Sequence, residues 1–221
     1  MFFNYYRSSN KIKAFVSMQD FSIFDEYLNQ RDFLDRKEVR NEEGIDVIVP
    51  IINTNKLFET NIRSWYREIP INRLLIGYGG GTDNSLEIIK NYPRVVIIDQ
   101  DKKYSEHLYG SQGICIAELI SKVRTEWFVY LHSDVFLPEN WYDVMKKYQD
   151  KYDWYECKRD ITALIKFKHK IEDSKRAYSG SQMGRKEAFK NIIPKIEDTL
   201  LPNNEDIIFQ AFITQEGYNY G

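Results

Sequence analysis

Short apolar runs alternate with segments of helical spacing through the middle of the chain. The runs that predict strands are Ile45–Pro50, Arg73–Tyr78, Arg94–Asp99 and Glu126–Leu131. The segments that predict helices between them are Leu57–Tyr66, Leu86–Asn91 and Gly113–Val123. Alternation of strands and helices favours right-handed crossovers and a parallel sheet. The pattern therefore predicts an α/β fold, with a Rossmann-like, mostly parallel central sheet and helices on both faces.

The fourth predicted strand carries the most informative pattern. Five apolar or aromatic residues, Trp127 to Leu131, are followed at once by His132, Ser133 and Asp134. A continuous apolar run of this length is typical of a parallel strand that is buried on both faces. Because such sheets bind ligands beyond the carboxyl ends of their strands, Asp134 is a candidate functional carboxylate.

The pattern changes after Pro138. The predicted elements are a helix at Trp141–Lys151, a strand at Ile161–Phe167, a turn-rich segment at Ser179–Gly184, and helices at Arg185–Ile192 and Ile207–Ile213. Asn204 is a candidate N-cap for the last helix. Glu205 and Asp206 then lie in its first turn, where the helix dipole favours carboxylates.

The chain divides into an extension and a core. Residues 1–44 are polar and irregular, and we expect an N-terminal extension with short helices around Phe21–Phe33 and a solvated linker at Lys37–Gly44. Residues 45–221 are expected to form a single domain, whose pattern changes between 45–137 and 138–221. The 221-residue length suits one large α/β domain.

The composition of the chain limits which partners and which cellular compartment we expect. A formal net charge of −2 gives no electrostatic reason to expect nucleic acid as a partner. The chain has no apolar run of about 18 residues, which argues against a transmembrane segment. The start, Met1–Arg7, lacks the features of a signal peptide, so we expect a cytoplasmic protein and leave peripheral attachment to a membrane open. Cys115 and Cys157 are the only two cysteines and lie far apart in the chain, so we expect two free buried thiols rather than a disulfide. Their spacing suits no metal site.

Several short motifs occur along the core in a fixed order. They are Ile45–Pro50 followed by Asn53, Gly77–Ser85, His132-Ser133-Asp134, Ser179–Phe189, Glu205-Asp206 and Gly217-Tyr218. This order of motifs resembles a family 2 glycosyltransferase with the GT-A fold. The resemblance covers residues 45–221. It implies a hexosyltransferase-type enzyme that moves a sugar, with inversion, from a UDP- or GDP-sugar to a hydroxyl group of a carbohydrate, lipid or protein acceptor. Residues 45–137 would form the nucleotide-sugar half and residues 138–221 the acceptor half.

The same resemblance assigns roles to individual residues. His132-Ser133-Asp134 is similar to the D-x-D element, so Asp134, assisted by His132, would hold Mn²⁺ or Mg²⁺ on the diphosphate. Asp206 would be the catalytic base, with Glu205 in support. The implied donor-binding residues are Pro50, Asn53, Tyr78, Gly79, Asp83, Asp99 and Ser133. A hard divalent cation prefers such oxygen ligands, and an imidazole shifts the expectation slightly towards Mn²⁺.

Two departures from the family pattern keep other interpretations open. Tyr78 and Gly79 stand where the family has an acidic pair, and His132 replaces the first Asp of the metal element. The alternative is therefore a non-catalytic protein that binds nucleotide or carbohydrate on a degenerate GT-A fold. A nucleotidyltransferase is a weaker rival, because no Gly-rich loop follows the first strand; the same absence disfavours a dinucleotide site.

Each candidate also has a plainer structural interpretation. Asp134 would end a turn, His132 would form a hydrogen bond at the sheet edge, and Asp206 would complement the helix dipole. The three glycines at 79–81 would make a tight turn. The pairs Trp141-Tyr142 and Trp154-Tyr155 would pack in the core rather than stack on sugars.

Overall fold

The computed structural model describes residues 44–54, 57–102, 111–137, 140–156, 180–193 and 205–221. Its strands are β1 (Ile45–Ile51), β2 (Ile71–Tyr78), β3 (Val95–Asp99), β4 (Trp127–Leu131), β5 (Trp154–Glu156) and β6 (Ser181–Arg185). Its α-helices are α1 (Phe58–Glu68), α2 (Ser85–Lys90), α3 (Ser111–Lys122), α4 (Trp141–Lys146) and α5 (Glu205–Gln215), and a 3₁₀ helix spans Lys186–Phe189. The predicted elements between 45 and 137 are therefore confirmed, with ends that move by two residues at most.

The six strands form one sheet in the order β3-β2-β1-β4-β6-β5. Strands β1 to β4 run parallel to one another, whereas β6 is antiparallel to both β4 and β5. The predicted α/β fold with a mostly parallel sheet is thus confirmed.

Apolar side chains cover both faces of this sheet. On one face Val47 and Val49 of β1 pack with the apolar side of α1, where Phe58, Ile62 and Trp65 recur at helical spacing and are buried. On the other face a second core cluster combines residues of β1 and β2 with α3 and α5. Its buried members include Ile48, Leu75, Ile116, Ile120, Phe209 and Ile213. A central strand with apolar residues on both of its faces needs cover on both sides, which the helices provide.

The prediction of a turn-rich segment at Ser179–Gly184 was wrong from Ser181 onwards. Ser181–Arg185 is a strand in the sheet interior, paired on one side with β4 and on the other with β5. Serine, glutamine and glycine favour turns locally, but the fit between two strands outweighs that preference. Gly184 is suited to this place because a Cβ there would come within 2.5 Å of Trp154 Cε3.

In the same half of the chain, one further prediction needs correction and one strand was not predicted at all. The helix expected at Trp141–Lys151 ends at Lys146 and continues as hydrogen-bonded turns. The three-residue strand β5 was missed, because it is too short to show alternation. The aromatic pairs at 141–142 and 154–155 are buried, which confirms core packing for all four residues.

Several expectations fall outside the described residues. They are the extension before Gly44, the strand at Ile161–Phe167, Cys157 and the N-cap at Asn204. Cys115 is buried and forms no disulfide, as expected. None of the helices within the described ranges is long and apolar enough to cross a membrane.

Candidate functional site

The carboxyl ends of the parallel strands meet at one edge of the sheet, and the strand order reverses there. From β1 the chain proceeds sideways to β2 and β3, whereas β4 lies on the other side of β1. Pairing between β1 and β4 stops at Ile48 and Tyr130, although β1 continues beside β2 to Ile51. Pro50, which has no N–H to donate, therefore lies beyond the paired part of β1 and β4. A crevice at such a reversal point is where α/β sheets bind ligands.

Side chains tie the loop after β1 to the loop after β2. Asn53 Oδ1 accepts hydrogen bonds from the backbone N–H groups of Thr82 (2.8 Å) and Asp83 (3.3 Å). In return, the Thr54 N–H donates to Asp83 Oδ2 at 2.7 Å. The structure thus brings Asn53 and Asp83, both predicted to bind the donor, into one hydrogen-bonded unit.

Asp83 is held by the start of α2 as well. Its Oδ1 accepts hydrogen bonds from the backbone N–H and the hydroxyl of Ser85. Burial acts to raise the pKa of the Asp83 carboxyl, but the hydrogen bonds from Ser85 and Thr54 outweigh it and lower the pKa below its usual range. Asp83 is therefore a carboxylate at neutral pH whose oxygens accept several local hydrogen bonds, so its present role is to fix the two loops.

The glycines after β2 allow a close approach of these loops. The Gly79 N–H donates to the carbonyl of Ile51 at 2.8 Å, and Gly80 has a φ of +77°. A Cβ on Gly81 would lie 1.4 Å from the Ile52 carbonyl oxygen, so no side chain fits there. The half-buried Tyr78 donates its hydroxyl to the Gly81 carbonyl at 2.7 Å, which holds its ring against its own loop.

Asp99, at the end of β3, lies next along this edge. It is exposed, and its Oδ1 accepts a hydrogen bond of 3.0 Å from the Asp101 N–H. Its backbone pairs with Tyr78 in the sheet. The structure therefore places Asp99 on the side of β2 that faces away from β4.

His132, Ser133 and Asp134 lie on the other side of the crevice, after β4. In a strand that continued to Asp134, the side chains of His132 and Asp134 would point the same way, but β4 ends at Leu131. A turn follows, closed by a hydrogen bond from the Val135 N–H to the His132 carbonyl at 3.2 Å. The two-residue period of a strand therefore does not apply to this pair.

His132 interacts with the strand that precedes it. Its Nε2 forms a 2.8 Å hydrogen bond with the hydroxyl of Tyr130, and the two rings are 5.3 Å apart in an edge-to-face arrangement. Its backbone N–H donates to the Gly180 carbonyl at 2.9 Å, next to β6. Nε2 therefore makes the hydrogen bond that the plainer structural interpretation of His132 expects, and the role of His132 at a metal stays a prediction.

Helix α1 holds the turn after β4 in place. Buried polar groups on the helix reach the backbone of this turn: Asn61 Nδ2 donates to the Ser133 carbonyl at 3.0 Å, and Ser64 Oγ accepts from the Leu137 N–H at 3.0 Å. Sequence reasoning missed both residues, because their partners lie 72 and 73 positions away. The one available signal was the presence of polar residues on the side of α1 that also carries Ile62 and Trp65.

The described side chains suit a divalent cation only in combination with a bound ligand. Within the described residues, no three His, Cys, Asp or Glu side chains form a group that could hold a metal ion. Mg²⁺ in particular is often held by one or two carboxylates together with substrate phosphates. The half-buried Asp134 at the crevice fits that smaller requirement, with the remaining ligands coming from a bound diphosphate.

The predicted catalytic pair begins the last helix. α5 starts at Glu205, as the expected first turn required, but the side chains of Glu205 and Asp206 are outside the described set. Further along, Phe209 packs on Trp154 and Phe189, which seats the helix on the β5–β6 side of the sheet. The structure therefore supports the position of the helix and leaves the two carboxylate roles as predictions.

A buried carboxylate that the sequence did not single out proves to be structural. Asp46 is fully buried at the amino end of β1 and accepts hydrogen bonds from Asn72 Nδ2 (2.9 Å), Arg73 Nε (3.2 Å) and the Arg124 N–H (2.7 Å). This is the edge of the sheet opposite the crevice. Asp46 therefore joins β1, β2 and the segment before β4, and it is not a candidate for the site.

Comparison with known proteins adds the fold class. No protein-family model matches the sequence, and no curated protein sequence matches it. In structure the chain is similar to the mannosyltransferase PcManGT from Pyrobaculum calidifontis in complex with GDP-Man and Mn²⁺, with a TM-score of 0.60 and 12% identity over 90% of this chain and 62% of that chain.

Two further solved structures have TM-scores of 0.50. Glucosyl-3-phosphoglycerate synthase from Mycobacterium tuberculosis, in complex with Mn²⁺, UDP and phosphoglyceric acid, is 13% identical over 72% of this chain and 61% of that chain. The 4-diphosphocytidyl-2C-methyl-D-erythritol synthase from Anaerococcus prevotii is 11% identical over 79% of this chain and 84% of that chain. The fold is of the Rossmann-like GT-A type. The chain spans about three fifths of the length of the mannosyltransferase and of the glucosyl-3-phosphoglycerate synthase.

Proposed function

We propose that this protein is a glycosyltransferase, similar to family 2 enzymes, that moves a sugar from a nucleoside diphosphate donor to an acceptor hydroxyl group. The observation that carries the proposal is the reversal of strand order between β1 and β4. The joined loops of Asn53 and Asp83 follow β1 and β2, and the turn of Ser133 and Asp134 follows β4, so these segments leave the same end of the parallel sheet. The mannosyltransferase with GDP-Man and Mn²⁺ has the same fold, which supports this choice of ligand.

The proposed donor site follows the strand ends. The loops after β1 and β2, with Pro50, Asn53, Tyr78, Gly79 and Asp83, bind the nucleotide, and Asp99 extends this surface. Backbone groups of the glycine-containing loop can approach a ligand closely, because no Cβ intervenes. Residues 45–137 form the nucleotide half of the domain and residues 138–221 the acceptor half.

The turn after β4 serves the diphosphate in this proposal. Asp134 holds a divalent cation, Mn²⁺ or Mg²⁺, together with the phosphate oxygens, and Ser133 contacts the donor. When bound, the cation neutralises the charge that develops on the leaving diphosphate. His132 supports the turn through its hydrogen bond with Tyr130 and assists Asp134 at the cation in this proposal.

Transfer with inversion needs a base on the side opposite the leaving group. We assign this role to Asp206, in the first turn of α5, with Glu205 in support. The acceptor hydroxyl would donate its proton to the Asp206 carboxylate while its oxygen attacks the anomeric carbon. The nucleoside diphosphate then leaves with the electron pair of the glycosidic bond.

A nucleotidyltransferase remains the second candidate, because the A. prevotii synthase shares the fold over 84% of its chain. The loop after β1 in our chain contains no glycine, whereas the three consecutive glycines follow β2. This arrangement favours the glycosyltransferase. The two reactions differ in their products, since a nucleotidyltransferase releases pyrophosphate and a glycosyltransferase releases a nucleoside diphosphate.

The decisive experiment combines binding with product release. The protein is titrated with UDP-, GDP- and dTDP-sugars with and without Mn²⁺, and release of nucleoside diphosphate and of pyrophosphate is followed. We expect metal-dependent binding of one donor, with nucleoside diphosphate release that is lost in Asp206→Asn. Asp134→Ala should weaken binding only when the metal is present.

The exposed Asp150, in the turns after α4, provides matched controls. Asp150→Asn and Asp150→Ala should behave as the wild-type protein in both assays. Failure of every nucleotide to bind at millimolar concentration would refute the donor site. Binding without turnover, unchanged by Asp206→Asn, would support the non-catalytic binding protein instead.

A further inference from the structure

Gln182, the second residue of β6, is fully buried and has an unusual environment. Neither its Nε2 nor its Oε1 has a hydrogen-bond partner among the residues that the structure describes. The indole Nε1 of Trp154, on the neighbouring strand β5, is likewise buried without such a partner. The adjacent strands β5 and β6 thus carry two buried hydrogen-bond donor groups and one buried acceptor that have no partner among the described residues.

These groups lie on one face of the sheet. Gln182 is the cross-strand partner of Tyr130 on β4, and Gly184, two residues further, is the partner of Trp154 and of Phe128. Directly paired residues share a face of an antiparallel sheet, so Gln182, Tyr130 and Trp154 lie on the same side. The Tyr130 and Trp154 rings stack at 6.4 Å with an interplanar angle of 17°.

This face leads to the candidate site. The hydroxyl of Tyr130 is hydrogen-bonded to the imidazole of His132. The backbone N–H of His132 donates to the carbonyl of Gly180, the residue just before β6. β6 therefore begins at the edge of the sheet where β4 ends and where Ser133 and Asp134 lie. Gln182 is the second residue of β6 from that edge.

A buried carboxamide without partners is costly to the folded protein. Each unsatisfied buried polar group costs about 1–3 kcal/mol, whereas an apolar side chain of the same shape would cost little or would stabilise. Folding alone thus favours methionine or leucine at this position. A buried polar group without partners calls for an explanation, and the position of Gln182 near the end of the sheet that carries the candidate site favours a ligand.

We propose that Gln182 is a specificity residue that binds a hydroxyl group of the donor's sugar; this inference rests on the proposed function. Its carboxamide can donate to one hydroxyl oxygen and accept from a hydroxyl hydrogen, the pair of interactions that a sugar ring offers. The donor sugar is the expected ligand because it extends from the diphosphate that the adjoining turn after β4 would hold. A site with buried polar groups discriminates strongly against ligands that leave those groups unpaired.

The test separates the sugar from the nucleotide. For wild-type protein, Gln182→Met and the exposed control Gln215→Met, calorimetry measures the affinity for a nucleoside diphosphate and for its sugar conjugate, and thermal unfolding is recorded without ligand. We expect wild-type protein to bind the sugar conjugate more tightly than the free diphosphate. Gln182→Met should lose about five- to tenfold in affinity for the conjugate, as expected for one neutral hydrogen bond, with unchanged affinity for the diphosphate.

The unfolding temperature supplies an independent readout. Gln182→Met should unfold at the wild-type temperature or above it, and Gln215→Met should match the wild type in every measurement. A lower unfolding temperature or failure of Gln182→Met to fold would show a structural role and overturn the inference, as would equal conjugate affinity in variant and wild type. Equal affinity of the wild-type protein for the sugar conjugate and for the free diphosphate would also overturn the inference, while nucleotide binding itself would stand. If the wild-type protein binds neither ligand, the proposed function is refuted instead.

Discussion

The indole N–H of Trp65 donates a 2.7 Å hydrogen bond to the backbone carbonyl of Val135, which links the buried face of α1 to the turn after β4. The two residues are 70 positions apart in the chain. Together with the bonds from Asn61 and Ser64, this contact gives the turn of Ser133 and Asp134 a rigid support. Supporting contacts of this kind keep a binding site in its productive geometry.

Trp65→Phe should weaken both the fold and the proposed site. The smaller ring leaves the buried Val135 carbonyl without its donor, which costs about 1–3 kcal/mol in the free energy of unfolding. The freed turn should also lower metal-dependent donor affinity. Urea unfolding and donor titration measure the two effects. Trp127→Phe, at a half-buried site on β4, serves as the control, and an equal effect of the two variants would show that ring size alone matters.

The glycine loop gives a steric prediction. Gly81→Ala would place a Cβ 1.4 Å from the Ile52 carbonyl oxygen, so the loops after β1 and β2 must separate. We expect a loss of about 1–3 kcal/mol in stability, the usual cost of overpacking, and a marked loss of nucleotide affinity. Equilibrium unfolding and nucleotide titration test this.

Gly217→Ala is the matched control for that substitution. Gly217 has a φ of +86° and nothing within 4 Å of its would-be Cβ, so alanine there adds backbone strain without a clash. It should reduce stability by about 1 kcal/mol and leave nucleotide affinity unchanged. If Gly81→Ala binds nucleotide as tightly as Gly217→Ala, the close approach of the two loops is not needed for binding.

The parallel half of the fold could be predicted from the sequence because each strand is a short, continuous apolar run. Ile45–Pro50 and Trp127–Leu131 need no partner to be recognised. β6 could not be found in this way, since Ser181, Gln182 and Gly184 look like a turn until β4 and β5 are placed on either side. Local propensity loses to tertiary fit at such positions.

The residues of the candidate site likewise fall into those that the sequence pattern reveals and those that it does not. His132, Ser133 and Asp134 were visible, because polar residues end an apolar strand, but their turn geometry was not. The supports on α1 and the orphan carboxamide of Gln182 depend on contacts between distant segments. A sequence pattern reports periodicity within one element, and it does not report which element lies opposite.

The hydrogen bonds of Asp83 predict a pH dependence. Because its folded pKa is lowered, the carboxylate contributes stability above its unfolded pKa of about 3.9, and this contribution is lost as the pH falls through the folded value. Asp83→Asn should therefore be less stable than wild type at pH 7, with a difference that shrinks towards acid. Urea midpoints from pH 7 to pH 3 measure this, and Asp150→Asn is the control. A difference that stays constant with pH would assign the effect to packing rather than to charge.

The last prediction concerns the ion pair of Arg67 and Glu68, which are 2% and 4% exposed. The guanidinium also donates to the Leu137 carbonyl at 2.6 Å, and Glu68 Oε2 accepts from the Trp141 N–H at 3.3 Å, so the pair fixes the segment between the turn after β4 and α4. Glu68→Gln removes the negative charge that Glu68 places beside a buried guanidinium, which should cost about 3–5 kcal/mol in the free energy of unfolding.

Glu59→Gln makes the same chemical change on the same helix at an exposed pair. Glu59 binds Arg63 at 3.0 Å, and the two side chains are 53% and 28% exposed, so water screens their attraction. We expect a loss of at most about 0.5 kcal/mol, as for other exposed helical pairs. Guanidinium unfolding curves of both variants test the contrast. Equal losses would mean that burial does not strengthen the dependence of Arg67 on Glu68, and that the segment from Leu137 to Trp141 is held by other contacts.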